Sequence, residues 1–203
     1  MGVDLGMSNA IAKLLAAATL AGSLAVAGAA EPWRVETVKG ETLEPFTDPK
    51  TKALVAVFIA TDCPVANYFQ PTLRRLQEKY GPRGVAFVFF HPDPTVSRDA
   101  ARKHAEEYGI VAAVALDPKF VAAKRLAAEV TPEAFVIARD GSVKYRGRVN
   151  DMYAAFGKKR RAPRNNDLDD AIGAVLDGKT ISSPKTKPIG CYIPYPRPIK
   201  DTK

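Results

Sequence analysis

The sequence predicts an α/β domain with a mixed central β-sheet flanked by helices, followed by an irregular C-terminal tail. Three observations predict it. Short apolar runs rich in β-branched and aromatic residues occur at 53–60 and 85–91 and read as buried strands. Amphipathic segments of helical period alternate with them. An Asp140-Gly141 pair between two apolar runs marks a hairpin turn. The order β-α-β-α-β-α-β-β-α makes the early strands parallel and the closing pair antiparallel.

Each element has its own signal. The run ALVAVFIA, 53–60, ends at TDCP, where Thr61 or Asp62 can cap a helix and Pro64 suits its first turn. Tyr68, Leu73, Leu76 and Tyr80 supply the apolar stripe of that helix, with Arg74, Arg75 and Lys79 between them. After GPRG comes the strand 85–91, then a helix capped by Ser97 and stopped at Gly109. A short strand at 111–117 and a helix at 118–130 precede the hairpin, 131–149. The last helix is capped by Asn166 or Asp167 and stopped by Gly178.

The chain has 203 residues, 46% of them hydrophobic, enough for one domain with a sizeable core. Residues 1–30 differ in composition. A lone Lys13, an Ala/Leu-rich run and small-x-small triplets at 27–30 read as a secretory signal peptide cleaved near Ala29 or Ala30, with Met1 or Met7 as the start. That leaves a domain at 31–180 and a Pro-rich basic tail at 181–203 carrying Cys191, with no membrane span in the mature form. The formal net charge is +8, and GKKRRAPR at 157–164 is its densest cluster. No nucleic-acid motif or aromatic interleaving accompanies it, so nucleic acid is not an expected partner and the cluster reads as a solvated loop.

Chemistry points to Cys63. A cysteine where a helix begins meets unpaired N–H groups and the positive end of the helix dipole, which favour the thiolate. Asp62 opposes this, since a neighbouring negative charge raises a thiol pKa. The bland reading of Cys63 is a small buried residue or half of a structural disulfide. The only other cysteine is Cys191, and in an oxidising compartment an even pair makes one disulfide.

Strand-TDCP-helix, VTPEAFVI at 130–137 and the DG hairpin followed by YRGRVND resemble the thioredoxin fold, and more closely its redoxin or peroxiredoxin-like branch. The stretch DLDDAI and the terminal GCYI are similar to exported bacterial redoxin-domain proteins. The resemblance covers roughly 54–193. It implies a cis-proline at Pro132, preceded by Thr131 and facing Cys63, and a substrate groove formed by Pro64, Asn67, Thr131 and Pro132. It also implies one arginine, Arg146 or Arg148, near the sulfur. Three departures bear on mechanism. Ala66 stands where a Cys-x-x-Cys site has its second thiol. Asn67 stands where copper-delivering relatives have a cysteine. Ala56 and Ala60 replace the proline and threonine of a peroxiredoxin motif, with Thr61 one place off.

Several readings follow. One is an exported thiol-disulfide oxidoreductase with Cys63 as nucleophile and Cys191 as distal resolving thiol, acting on protein disulfides or a peroxide. Another is an inert binding module with a Cys63–Cys191 staple and an envelope electron-transfer partner. A thiol peroxidase and a copper-handling protein complete the set; the last needs Cys63, Cys191 and a histidine to converge. His91, ending a buried strand, is expected to make a loop-stabilising hydrogen bond, and His104 to sit at the surface or in packing. Neither a cofactor nor a metal is expected.

Overall fold

The structure, a computed structural model, describes residues 1–2 and 32–196. The leader expected at 1–30 therefore lies, but for its first two residues, outside the described residues, as does the tail beyond 196. In chain order the elements are β1 (Val35–Glu36), β2 (Thr42–Leu43), β3 (Ala53–Phe58), α1 (Pro64–Tyr80), a 3-10 turn (Gly81–Arg83), β4 (Val85–His91), α2 (Arg98–Glu107), β5 (Ala113–Leu116), α3 (Val121–Leu126), β6 (Val130–Thr131), β7 (Glu133–Ala138), β8 (Val143–Gly147), β9 (Tyr153–Ala155), β10 (Lys158–Lys159), α4 (Asp167–Leu176) and β11 (Cys191–Tyr192).

The main sheet has the order β5-β4-β3-β7-β8. β3, β4 and β5 are parallel, and β7 and β8 join antiparallel to them. This is the expected mixed sheet. β3 is buried on both faces, as its unbroken apolar run demands. Its residues alternate between two cores. Ala53, Val55 and Val57 face a layer that includes α1 and α4. Leu54, Ala56 and Phe58 face α3, Trp33 and Ile193.

The apolar stripe of α1 is Val65, Phe69, Leu73, Leu76 and Tyr80. Tyr68 is exposed rather than part of it, because spacings of four and three from Leu73 select Phe69. The cap of α1 is also corrected. Cys63 itself occupies the cap position and accepts from the Ala66 N–H, with Pro64 next.

Two features exceed the sequence reading. The stretch expected as a loop forms a two-stranded hairpin, β9–β10. The tail, although irregular, is docked along the domain. Arg146 N–H donates to the Pro184 carbonyl at 2.9 Å and Thr186 N–H returns to Arg146 at 3.0 Å, so the tail extends the β8 edge. Gly147 makes this approach feasible: its φ is +146°, and a Cβ there would lie 2.1 Å from Thr186 Oγ1. Farther on, β11 pairs antiparallel with β6. No helix among the described residues is long and apolar enough to cross a membrane.

Candidate active site

The site forms where β3 ends and α1 begins. Cys63 is extended (φ −82°, ψ 106°), as a cap residue must be. Its side chain is fully buried. The sulfur lies 3.4 Å from the Ala66 N–H and donates to the Thr131 carbonyl at 3.0 Å. The Thr131-Pro132 peptide bond is cis, so the segment facing Cys63 has the form expected of it. Thr131 and Pro132 are buried, whereas Pro64 is exposed.

The tail brings the second cysteine to the first. Cys191 is opposite Thr131 and Tyr192 opposite Val130. Both cysteines are free thiols, and both meet Thr131: Cys191 across the strand pair and Cys63 through its hydrogen bond to the carbonyl. Burial first, then the neighbouring Cys63 thiol and Asp62, push the Cys191 thiol up to about 12. Space for the strap comes from Gly190: a Cβ there would fall 1.9 Å from the Thr131 carbonyl oxygen. Beyond Cys191, Ile193 is buried and its N–H donates to the Glu129 carbonyl at 3.0 Å. Tyr195 packs tilted against the Phe120 ring, and its hydroxyl donates to the Ala128 carbonyl at 2.7 Å. The strap is thus fixed on both sides of Cys191.

Asn67 is engaged in scaffolding. Its amide donates to the Thr61 carbonyl at 2.9 Å, and its oxygen lies 2.8 Å from His104 Nε2. His104 is buried, not at the surface, and its ring meets His91 at 5.2 Å. The hydrogen bond expected of His91 is not formed: neither ring nitrogen has a partner among the described residues. Burial, reinforced by His104, lowers the His91 imidazole to about 3. The run His91–His104–Asn67–Thr61 therefore supports the loop before Cys63. Nothing in the local spacing of these residues announced it.

The two candidate arginines are engaged elsewhere. Arg146 donates to the fully buried Glu133 carboxylate at 2.7 Å and to the Ala127 carbonyl at 3.0 Å. Arg148 pairs with Asp167 at 2.7 Å. Strand alternation carries Arg146 to the face opposite the α1 core, over the Phe135 ring. Nor is the cluster that copper handling requires formed, since no three His, Cys, Asp or Glu side chains among the described residues are grouped to hold a metal ion.

A family model described as Redoxin matches residues 37–156, more than half of the chain. The chain belongs to the Redoxin family. The match ends before Cys191, so the strap of this redoxin lies beyond it. No functionally curated protein matches the sequence. Among solved structures, an uncharacterized conserved protein from Geobacillus kaustophilus is similar at 28% identity and a TM-score of 0.72, over 83% of this chain and 90% of its own. A hypothetical protein from Sinorhizobium meliloti 1021 is similar at 22% identity and TM-score 0.72, over 83% and 93%. A secreted Mycobacterium tuberculosis disulfide oxidoreductase homologous to Escherichia coli DsbE shares the fold at 17% identity and TM-score 0.51, over 70% and 96%. This redoxin has the thioredoxin-like fold of thiol-disulfide oxidoreductases.

Proposed function

We propose that this redoxin is an exported thiol-disulfide oxidoreductase whose working pair is Cys63 and Cys191. The observation that carries the reading is the convergence of the two cysteines on Thr131: residues 128 positions apart meet there, Cys191 paired opposite it on the strap and the Cys63 thiol donating to its carbonyl beside the cis-proline. Export rests on the three-part pattern of residues 1–30.

In the reductive direction the Cys63 thiolate attacks one sulfur of a protein disulfide. The substrate S–S bond breaks, a mixed disulfide forms and one substrate thiolate leaves. Cys191 gives up its proton and attacks the Cys63 sulfur. That forms the Cys63–Cys191 bond and releases the second substrate thiol. Two electrons have passed to substrate, and an external dithiol must restore the pair. The Ala66 N–H and the cap geometry hold the Cys63 sulfur in place throughout.

Complete burial of Cys63 favours a second reading, in which the pair is a staple and the domain a binding module. Alkylation and mass spectrometry across graded redox buffers separate the two. A Cys63–Cys191 link that opens within the range of cellular thiol couples, roughly −180 to −300 mV, supports a working pair. A link that persists well below that range makes it a staple. Loss of exchange in Cys63→Ser with the fold intact is the companion result; full activity in that variant ends the proposal.

A further inference from the structure

The hairpin β9–β10 and the segment after it carry five cations, Lys158, Lys159, Arg160, Arg161 and Arg164, and no carboxylate. Repulsion among them is poorly relieved. Arg160 alone reaches an acid, Asp151 Oδ2 at 3.6 Å, while Lys158, Arg161 and Arg164 form no ion pair among the described residues. Lys159 lies 4.0 Å over the Tyr68 ring. At the hairpin tip Phe156 is 63% exposed.

The segment is nonetheless anchored. Tyr153 packs on Tyr68 and Phe69 of α1 with ring centroids 5.5 and 5.9 Å away. Asp151 Oδ1 accepts the Arg164 and Asn165 N–H groups at 2.6 and 3.0 Å, and Arg160 donates to the Asp151 carbonyl at 2.9 Å. Its base also adjoins the thiol site: Tyr153, Phe69, Pro132 and Ile189 line one small cavity. A row of cations, most of them without an acid partner among the described residues, on an anchored segment beside the thiol site attracts anions.

We propose that residues 153–164 form the docking ridge for an acidic segment of the disulfide-bearing protein on which the Cys63–Cys191 pair acts; the proposal rests on the thiol-disulfide reading. The ridge selects acidic flanks by charge, and Phe156 packs against an apolar side chain beside them. The position of the ridge beside Pro132 favours a protein over a lipid surface, and one exposed phenylalanine offers little area for insertion into a bilayer.

The test compares two peptides with the same disulfide core, one flanked by Asp and Glu and one by Lys, each also made with Ser for Cys. Fluorescence anisotropy with the Ser forms reads docking without exchange. The acidic peptide is expected to bind at least ~10-fold more tightly at low ionic strength, with the preference lost near ~1 M salt. The double variant K158E/R161E should reverse the preference and leave the rate on neutral 2-hydroxyethyl disulfide unchanged. Equal binding of both peptides, no effect of K158E/R161E, or sedimentation with phosphatidylglycerol vesicles in place of peptide binding each overturns the ridge. Charge-dependent docking without reduction of any disulfide leaves the ridge standing and removes the oxidoreductase reading instead.

Discussion

Cys191 stands opposite Thr131 in an antiparallel pair, and the Cys63 thiol donates to the carbonyl of that same Thr131 at 3.0 Å. One peptide unit therefore holds both sulfurs, one through a strand ladder and the other through a hydrogen bond. Cys63 is fully buried beneath this pairing, so under the proposed function its attack on a protein-sized disulfide would require the strap to lift. Under that reading, the equilibrium of lifting would set how much Cys63 is available.

Gly190→Ala tests the strap directly. The new methyl would lie 1.9 Å from a backbone oxygen that cannot swing away, an overpacking that costs about 1–3 kcal/mol. If the cost falls on strap docking, each ~1.4 kcal/mol gives about tenfold more open form. Alkylation of Cys63 in the reduced protein should accelerate by roughly that factor while the thermal midpoint moves little. An unchanged alkylation rate would mean that the strap does not gate Cys63.

Arg146 is expected to act on stability, not on the thiols. Glu133 is fully buried, and Arg146 is its cation. Arg146→Met should cost about 3–5 kcal/mol, because the buried carboxylate loses its counter-ion and keeps only the Glu129 N–H at 2.7 Å. Adding Glu133→Gln should return most of it. Exchange rates with a small neutral disulfide should stay at the wild-type value wherever the variant is folded. Slower exchange with unchanged stability would place Arg146 at the sulfur after all.

These residues also indicate what the sequence could reveal. β3 and β4 were legible because doubly buried strands leave unbroken apolar runs, and the helix start at Cys63 because Pro64 follows it. The bonding of Arg146 was not legible. Its alternation with Tyr145 was visible, but which face received a buried Glu133 depends on sheet order. The strap was open to conjecture from GCYI alone. Its seat depends on Gly190 lying against Thr131, a contact across 59 positions. The β9–β10 hairpin was masked by its own charges. The cue was Tyr153, which packs on Tyr68 and Phe69 and so ties the basic stretch to α1.

Acid should weaken the fold through the histidine pair. Burial, aided by His104, puts the His91 imidazole at about 3, and burial lowers His104 as well; an unfolded histidine titrates near ~6.5. Between those values the unfolded chain binds more protons than the folded one, so stability rises with pH there. The contribution is complete above about 6.5 and drains away toward 3. His91→Leu should flatten the dependence of the thermal midpoint on pH across pH 6.5 to 4. An equally steep decline in the variant would assign acid sensitivity to other groups.

Cys191 offers the sharpest chemical reading. It is the more exposed of the two thiols, yet burial and the neighbouring Cys63 thiol push it up to about 12. Exposure alone would make it the faster to alkylate; protonation makes it slow, since only the thiolate reacts. At pH 8 iodoacetamide should label Cys191 at least ~100-fold more slowly than an ordinary thiol of pKa about 8.5. The rate should climb about tenfold per pH unit toward 12, as the thiolate fraction does. Cys63→Ala removes the influence of the neighbouring thiol but not the burial, which is the largest cause. Labelling should therefore quicken in that variant without reaching the free-thiol rate. Mass spectrometry of the Cys191 peptide over a pH series reads both effects. Rapid labelling of Cys191 in the wild-type protein at pH 8 would mean that the strap does not hold the thiol pair together, and the resolving role assigned to Cys191 would go with it.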